Sequence, residues 1–287
     1  MKASALVSAG ALVRFPAFAY NNKLIGLQLY TVRDAMAADP AGTLAKVAKL
    51  GYNSVEGATY TGTQKFYGLS PKEFAALLKQ NGLIMKSAHY RLGEEKNQGA
   101  DVQGTILHNW QKAVDDAAEA GVHYMVCAYL SEPERGNAAK YTALAATLNK
   151  SAETVKKAGL QLCYHNHDFE FKKVDGKLPF DIILAETDKE LVKIELDLYW
   201  ASKVNVDPVS LFNKHKGRFP LWHVKDMDKT PERAFTEVGN GTIDFKRIFA
   251  HATIAGLKYF FVEQDKTPGD PFESIAKSIT YVKHNLI

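Results

Sequence analysis

The 287-residue chain predicts an α/β fold, a single-domain (β/α)8 TIM barrel. Three observations carry that prediction. From Lys23 onward, short β-rich runs alternate eight times with longer segments of helical spacing, as in a parallel sheet whose crossovers are helices. Glycine recurs at positions 51, 82, 121, 159 and 256, each just past a helical segment and shortly before an apolar run. A left-handed backbone there ends a helix at little cost. No G-x-G-x-x-G follows the first strand, so the usual mark of an open dinucleotide-binding sheet is missing.

Taken in order, the predicted strands cover 24–30, 53–57, 84–89, 124–128, 160–165, 192–198, 220–225 and 258–263. The predicted helices cover 41–50, 71–81, 102–120, 138–158, 180–187, 208–216, 245–255 and 271–285. Ser70-Pro71 and Asp207-Pro208 are good helix starts, a cap residue followed by proline at the first helical position. The barrel is expected to occupy residues 23–287. Residues 1–22 are read as a signal peptide or a disordered N-terminal segment. Lys2 gives a positive start, 3–13 is apolar and Ala17-Phe18-Ala19 matches a small-x-small cleavage site, although Arg14 interrupts the apolar region. This predicts export to the periplasm, with the cytoplasm as the alternative.

Composition sets bounds on function. The chain is 46% hydrophobic and 24% charged, and its net charge of +4 includes no long basic run. Such a chain buries a large core, and nucleic acid is not its expected partner. Beyond the N-terminus nothing approaches the roughly 20 apolar residues of a membrane span, so no membrane partner is expected either. Cys127 and Cys163 sit inside apolar runs and read as buried thiols. A homo-oligomer is left open.

In this fold the active site forms at the carboxyl ends of the strands. Those ends supply Gln28, Tyr30, Glu56, His89 and Tyr129, then His165, His167 and Glu170 in the stretch CYHNHDFE. Glu195, Asp197 and Trp200 follow, then His223, Lys225 and Asp226, and finally Glu263, Gln264 and Asp265. Strand alternation sends Glu195 and Asp197 to one side and the leucines to the other. Burying several carboxylates costs on the order of several kcal/mol each unless a cation neutralises them. Asp197, His223, Glu263 and one fifth-strand group would make a mixed oxygen and nitrogen shell. It suits a divalent metal, Mn²⁺, Zn²⁺, Co²⁺ or Mg²⁺, which geometry alone separates poorly; Mn²⁺ is the expected ion. The competing reading has Lys225 and Arg33 neutralise these acids without metal.

The segments Leu27-Gln28-Leu29-Tyr30-Thr31-Val32-Arg33-Asp34, Tyr164-His165-Asn166-His167, Leu196-Asp197-Leu198-Tyr199, His223-Val224-Lys225-Asp226 and Phe261-Val262-Glu263-Gln264 together resemble the sugar phosphate isomerase/epimerase family. This is the xylose-isomerase-like barrel superfamily. The loop Val238-Gly239-Asn240-Gly241-Thr242-Ile243-Asp244 is similar to that family's G-x-G-x-I-D segment. The resemblance implies one divalent metal held by Glu, Asp, His and Glu from strands five to eight. The last three map onto Asp197, His223 and Glu263. The strand-five Glu-Asn-His of many relatives stands here as His165-Asn166-His167, a departure that leaves His165 and Glu170 as rival ligands. Related apurinic endonucleases place a histidine where this chain has Trp200, and another within Asp226-Met227-Asp228, where this chain has none.

Such a site suits proton removal next to a carbonyl. Glu263 is the expected base, with Glu170 or His165 across the substrate and Lys225 on an oxygen. Gln28, Tyr30, Glu56, His89, His167 and Trp200 are expected substrate contacts, with Tyr129 a further stacking surface. Three functions follow: a metal-dependent sugar isomerase or epimerase, a lyase, dehydratase or hydrolase of a keto-sugar or 3-keto-glycoside, and a non-catalytic carbohydrate-binding barrel.

Overall fold

The computed structural model describes residues 24–94 and 102–287. The predicted signal segment, 1–22, lies outside the described residues. Seven parallel strands come first: β1 (Gly26–Gln28), β2 (Ser54–Gly57), β3 (Ile84–Tyr90), β4 (Tyr124–Cys127), β5 (Gln161–His165), β6 (Val192–Asp197) and β7 (Leu221–Val224). A small antiparallel ribbon, β8 (Asp226–Met227) with β9 (Phe235–Thr236), precedes the eighth parallel strand, β10 (Tyr259–Val262). The eight parallel strands close in the order β1-β10-β7-β6-β5-β4-β3-β2. Every predicted strand is present, with ends within two residues of those expected.

The helices depart more. The segment 102–120 is helical only over Trp110–Glu119, because Gly104 and Asn109 adopt positive φ and a Thr105–His108 bridge closes a turn before it. The segment 245–255 divides into Phe245–Phe249 and Ala252–Ala255. Two short helices, Arg33–Ala38 and Leu198–Lys203, were not expected. The predicted starts hold: Ser70 forms a reciprocal capping box with Glu73, and Asp207 accepts from the Val209 N–H. All five punctuating glycines have positive φ.

Apolar side chains form two bodies. The larger lies between strands and helices and includes Leu27, Val55, Met125, Leu162, Ile194, Leu196 and Trp222. The smaller fills the barrel's interior: Tyr124, Val126, Cys163, Leu221 and Phe261. Period-two alternation makes this partition, since Leu162 and Tyr164 face the helices while Cys163 and His165 face the axis. The two free cysteines are both buried. No helix among the described residues is long and apolar enough to cross a membrane.

Candidate active site

Above the inner apolar plug, the same alternation turns polar. Register sets Gln28 beside Glu56, His165 beside Glu195, and Asp197 beside His223. A register shift between Val55 and Glu56 interrupts the pairing of β2 with β3 where Glu56 enters this layer. Glu56, Glu195, Asp197 and His223 are completely buried.

These groups form two tiers. In the deeper tier, Glu195 Oε2 lies 2.8 Å from His89 Nε2 and 3.0 Å from His165 Nδ1. Glu56 Oε2 lies 2.5 Å from His223 Nε2 and 3.3 Å from His89 Nε2, and accepts from the Gln28 amide at 2.7 Å. In the outer tier, Glu263 Oε2 is 2.6 Å from His223 Nδ1 and 2.8 Å from Lys225 Nζ. Lys225 also meets Asp197 Oδ2 at 3.0 Å and Asp265 Oδ1 at 2.8 Å. Asp197, His223 and Glu263 present ligand atoms within 4.8 Å of one another, as do His89, His165, Glu195 and His223.

Local folding explains the outer tier. The strand expected to run to residue 198 stops at Asp197, because Asp197 caps the next helix: its Oδ1 accepts from the Trp200 N–H at 2.9 Å. The other oxygen stays with the site, and the cap carries Trp200 to the cavity wall. Asn166 ties β5 to β6 by accepting from the Asp197 N–H at 3.0 Å.

Opposing effects set the charges. Burial works against the charge on His89, yet Glu56 and Glu195 lift its pKa to about 9. Burial would also raise Glu263, but Lys225 and His223 bring it down to about 2. Asp197 goes up to about 6 through burial, despite Lys225. His167 goes down to about 3, mainly through burial.

A cavity of about 630 Å³ opens over the outer tier. Of the expected site residues, Tyr30, His89, Tyr129, His165, His167, Trp200, Lys225 and Glu263 line it. Its aromatic wall is coherent: His167 stacks on Phe169 at 5.5 Å and lies 5.6 Å from Trp200, and Tyr129 meets His167 edge-on at 5.1 Å. Gln28 and Glu56, expected to touch substrate, are fully buried and do not line this cavity. They lie under the floor.

Glu170 does not join either tier. Its Oε1 accepts from the Tyr164 hydroxyl at 2.6 Å and its Oε2 from the His167 N–H at 2.8 Å. It sits with Tyr164 on the helix-facing side of β5, and burial pushes its pKa to about 7. Arg33, the other proposed neutraliser of the acids, instead donates to the carbonyls of Tyr30 and Asp265. Asp226 is occupied elsewhere, accepting from the N–H groups of Met227, Gly239, Gly241 and Ile243.

Sequence reasoning missed Arg91, Arg135 and Phe169, which also line the cavity. Arg91 follows His89 by two residues and so shares its face. Arg135 comes from a loop and is held over the Phe169 ring at 4.0 Å, a placement that has no sequence period.

The donor set fits a divalent cation on grounds internal to the chain. Two carboxylate oxygens with no hydrogen-bond donor, Glu56 Oε1 and Glu195 Oε1, are buried beside imidazoles.

The model of a family described as xylose isomerase-like TIM barrel matches residues 44–283. The chain is similar to a sugar phosphate isomerase/epimerase of known structure from Parabacteroides distasonis ATCC 8503. The two are 29% identical with a TM-score of 0.78, over 93% of this chain and 96% of that one. A second structure with that description, from the same organism, is 24% identical with a TM-score of 0.79, over 91% and 98%, and speaks to the fold. Among curated proteins, the inosose dehydratase of Geobacillus thermodenitrificans (strain NG80-2) is 28% identical over 155 residues, 47% of this chain and 51% of that protein. The chain spans about half the length of the curated relatives it matches.

Proposed function

From the premise that this chain belongs to the xylose isomerase-like TIM barrel family, we propose that it is a divalent-metal-dependent sugar isomerase or epimerase, working by proton transfer next to a carbonyl. One observation carries this reading. Asp197, His223 and Glu263, from three separate strands, bring ligand atoms within 4.8 Å of one another under an aromatic-walled cavity.

Those three residues would hold the ion, with Mn²⁺ the first choice among ions compatible with carboxylate and imidazole. When bound, the ion polarises a carbonyl and stabilises negative charge that develops on its oxygen. Glu263 is the base. Held near pKa 2 by Lys225 and His223, it regains basicity when the Lys225 ammonium turns from it to a substrate oxygen. His165, whose Nε2 is 3.7 Å from Asp197 Oδ2, is the fifth-strand group at the site. Glu170, with both oxygens engaged, is not. Trp200, Tyr30 and Tyr129 offer flat apolar surface to a sugar ring.

The match to inosose dehydratase favours a second reading. If the carbon beside the carbanion carries a hydroxyl or glycosidic oxygen, the same proton removal ends in elimination, with Lys225 protonating the departing oxygen. Incubation with ketoses, keto-sugars and an inosose in D₂O with Mn²⁺ separates the two. Deuterium in recovered sugar with a changed stereocentre supports the first; loss of water or aglycone supports the second. No exchange and no product with any of them, in metal-loaded protein, would reduce the chain to a binding barrel.

A further inference from the structure

We propose that the deeper tier is a second divalent-cation site, formed by His89, His165, Glu195 and Glu56 and lying under the one assigned above. It goes beyond the reading of the outer tier and does not depend on the sugar chemistry.

Spacing is the first argument. Donor atoms of adjacent ligands around an ion with bonds of about 2.1 Å sit about 3 Å apart in an octahedral shell. In the deep tier, Glu195 Oε2 is 2.8 Å from His89 Nε2 and 3.0 Å from His165 Nδ1, and Glu56 Oε2 is 3.3 Å from His89 Nε2. These three pairs stand at ligand spacing, and His89, His165 and Glu195 present ligand atoms that all lie within 4.8 Å of one another.

Unsatisfied acceptors are the second. Glu56 and Glu195 are each wholly buried, and the Oε1 of each has no hydrogen-bond donor. A buried carboxylate oxygen without a donor is rarely tolerated. The side chains around them come from four different strands, so nothing local to one loop explains the arrangement.

Charge is the third. The cluster holds five carboxylates: Lys225, its one ammonium, meets Asp197, Glu263 and Asp265, while Glu56 and Glu195 meet imidazoles. With imidazoles neutral, as ligands must be, four negative charges remain. One divalent ion in the outer tier removes half of them. A second in the deep tier removes the rest. His223 keeps the tiers apart: its Nδ1 faces Glu263, and its Nε2–H donates to Glu56, the usual way a carboxylate orients a metal-binding imidazole. Imidazole donors favour Zn²⁺, Co²⁺, Mn²⁺ or Fe²⁺ over Mg²⁺ or Ca²⁺ here.

The test is metal stoichiometry of the full chain, stripped with chelator, reloaded with Mn²⁺, Zn²⁺ or Co²⁺ and desalted. Wild type should retain two ions per chain, and Glu195→Gln and Asp197→Asn one each. In Co²⁺ protein, the visible absorption lost in Glu195→Gln should differ from that lost in Asp197→Asn, because the deep ion has two imidazole donors. If Glu195→Gln fails to fold by near-ultraviolet circular dichroism, His89→Gln, at the cavity edge, replaces it with the same expectation. A single ion in wild type, or a full complement in the deep-tier variant, overturns the proposal. One ion lost in Asp197→Asn but none in the deep-tier variant leaves the outer-tier reading standing alone; the reverse pattern removes the outer tier and keeps the deep one.

Discussion

Asp226 and Glu263 are both buried carboxylates on the carboxyl side of the barrel, yet they are stabilised by opposite means. Asp226 is wrapped by backbone: four N–H groups, from Met227, Gly239, Gly241 and Ile243, donate to it at 2.8 to 3.2 Å. The loop is built around that carboxylate. A Cβ on Gly241 would lie 2.3 Å from Asp226 Oδ1, and one on Gly239 would lie 2.1 Å from the Tyr281 ring. Glu263 is instead stabilised by groups that titrate or move, the His223 imidazole and the Lys225 ammonium. A carboxylate held by backbone amides is locked by chain geometry and serves structure. One held by other side chains can exchange partners, and so can receive a cation, a proton or a substrate oxygen.

Substitutions that keep shape but remove charge break the comparison most sharply. Glu263→Gln should lower turnover by about 10³-fold, the loss of a general base and a ligand together, while the melting temperature moves by only a few degrees. Turnover and a thermal melt, run side by side, check it; retained turnover would remove Glu263 from the chemistry. Asp226→Asn should do the reverse. One amide oxygen cannot serve four donors, and its NH₂ would face N–H groups, so urea unfolding should show a loss of about 3 kcal/mol. Unchanged stability would mean that the cradle holds its shape without the charge.

Glu170 stands between these cases, with one side-chain donor and one backbone donor. Its carboxyl is lifted from 4.5 to about 7 by burial, so the unfolded chain releases that proton first as pH rises. Between those values the folded state binds more protons, and stability therefore falls with rising pH, by roughly 3 kcal/mol across the window. Glu170→Gln should flatten the slope between pH 4.5 and 7; an unaltered profile would assign the slope to another group. The smallest effect expected is that of Gly239→Ala, where φ is +89° and the Tyr281 ring must give way. A loss of about 2 kcal/mol with near-normal turnover would confine that loop to structure.

Much of this site was legible because a barrel obeys simple rules. Asp197, His223, Lys225 and Glu263 could be found from strand ends and period-two alternation, and the structure brings them together. The cradle around Asp226 was not legible: its donors are backbone groups of a loop, which no residue type announces. Neither was the side of β5 on which Glu170 would fall. It lies five residues beyond His165, past a turn, where alternation no longer determines direction. Gln28 and Glu56 were placed at the mouth on strand position alone, but depth along the barrel axis depends on tilt and on the irregular pairing of β2 with β3.

By itself, the sequence determined the number of strand–helix units, the inward or outward sense of each strand residue and the glycines that end helices, because these follow from local periodicity and backbone sterics. Only the tertiary structure decided which inward residues share a tier, which carboxylates meet a lysine or an imidazole, and which are spent on backbone amides. Those outcomes depend on strand register and barrel closure, which bring together side chains as distant in sequence as Glu56 and His223.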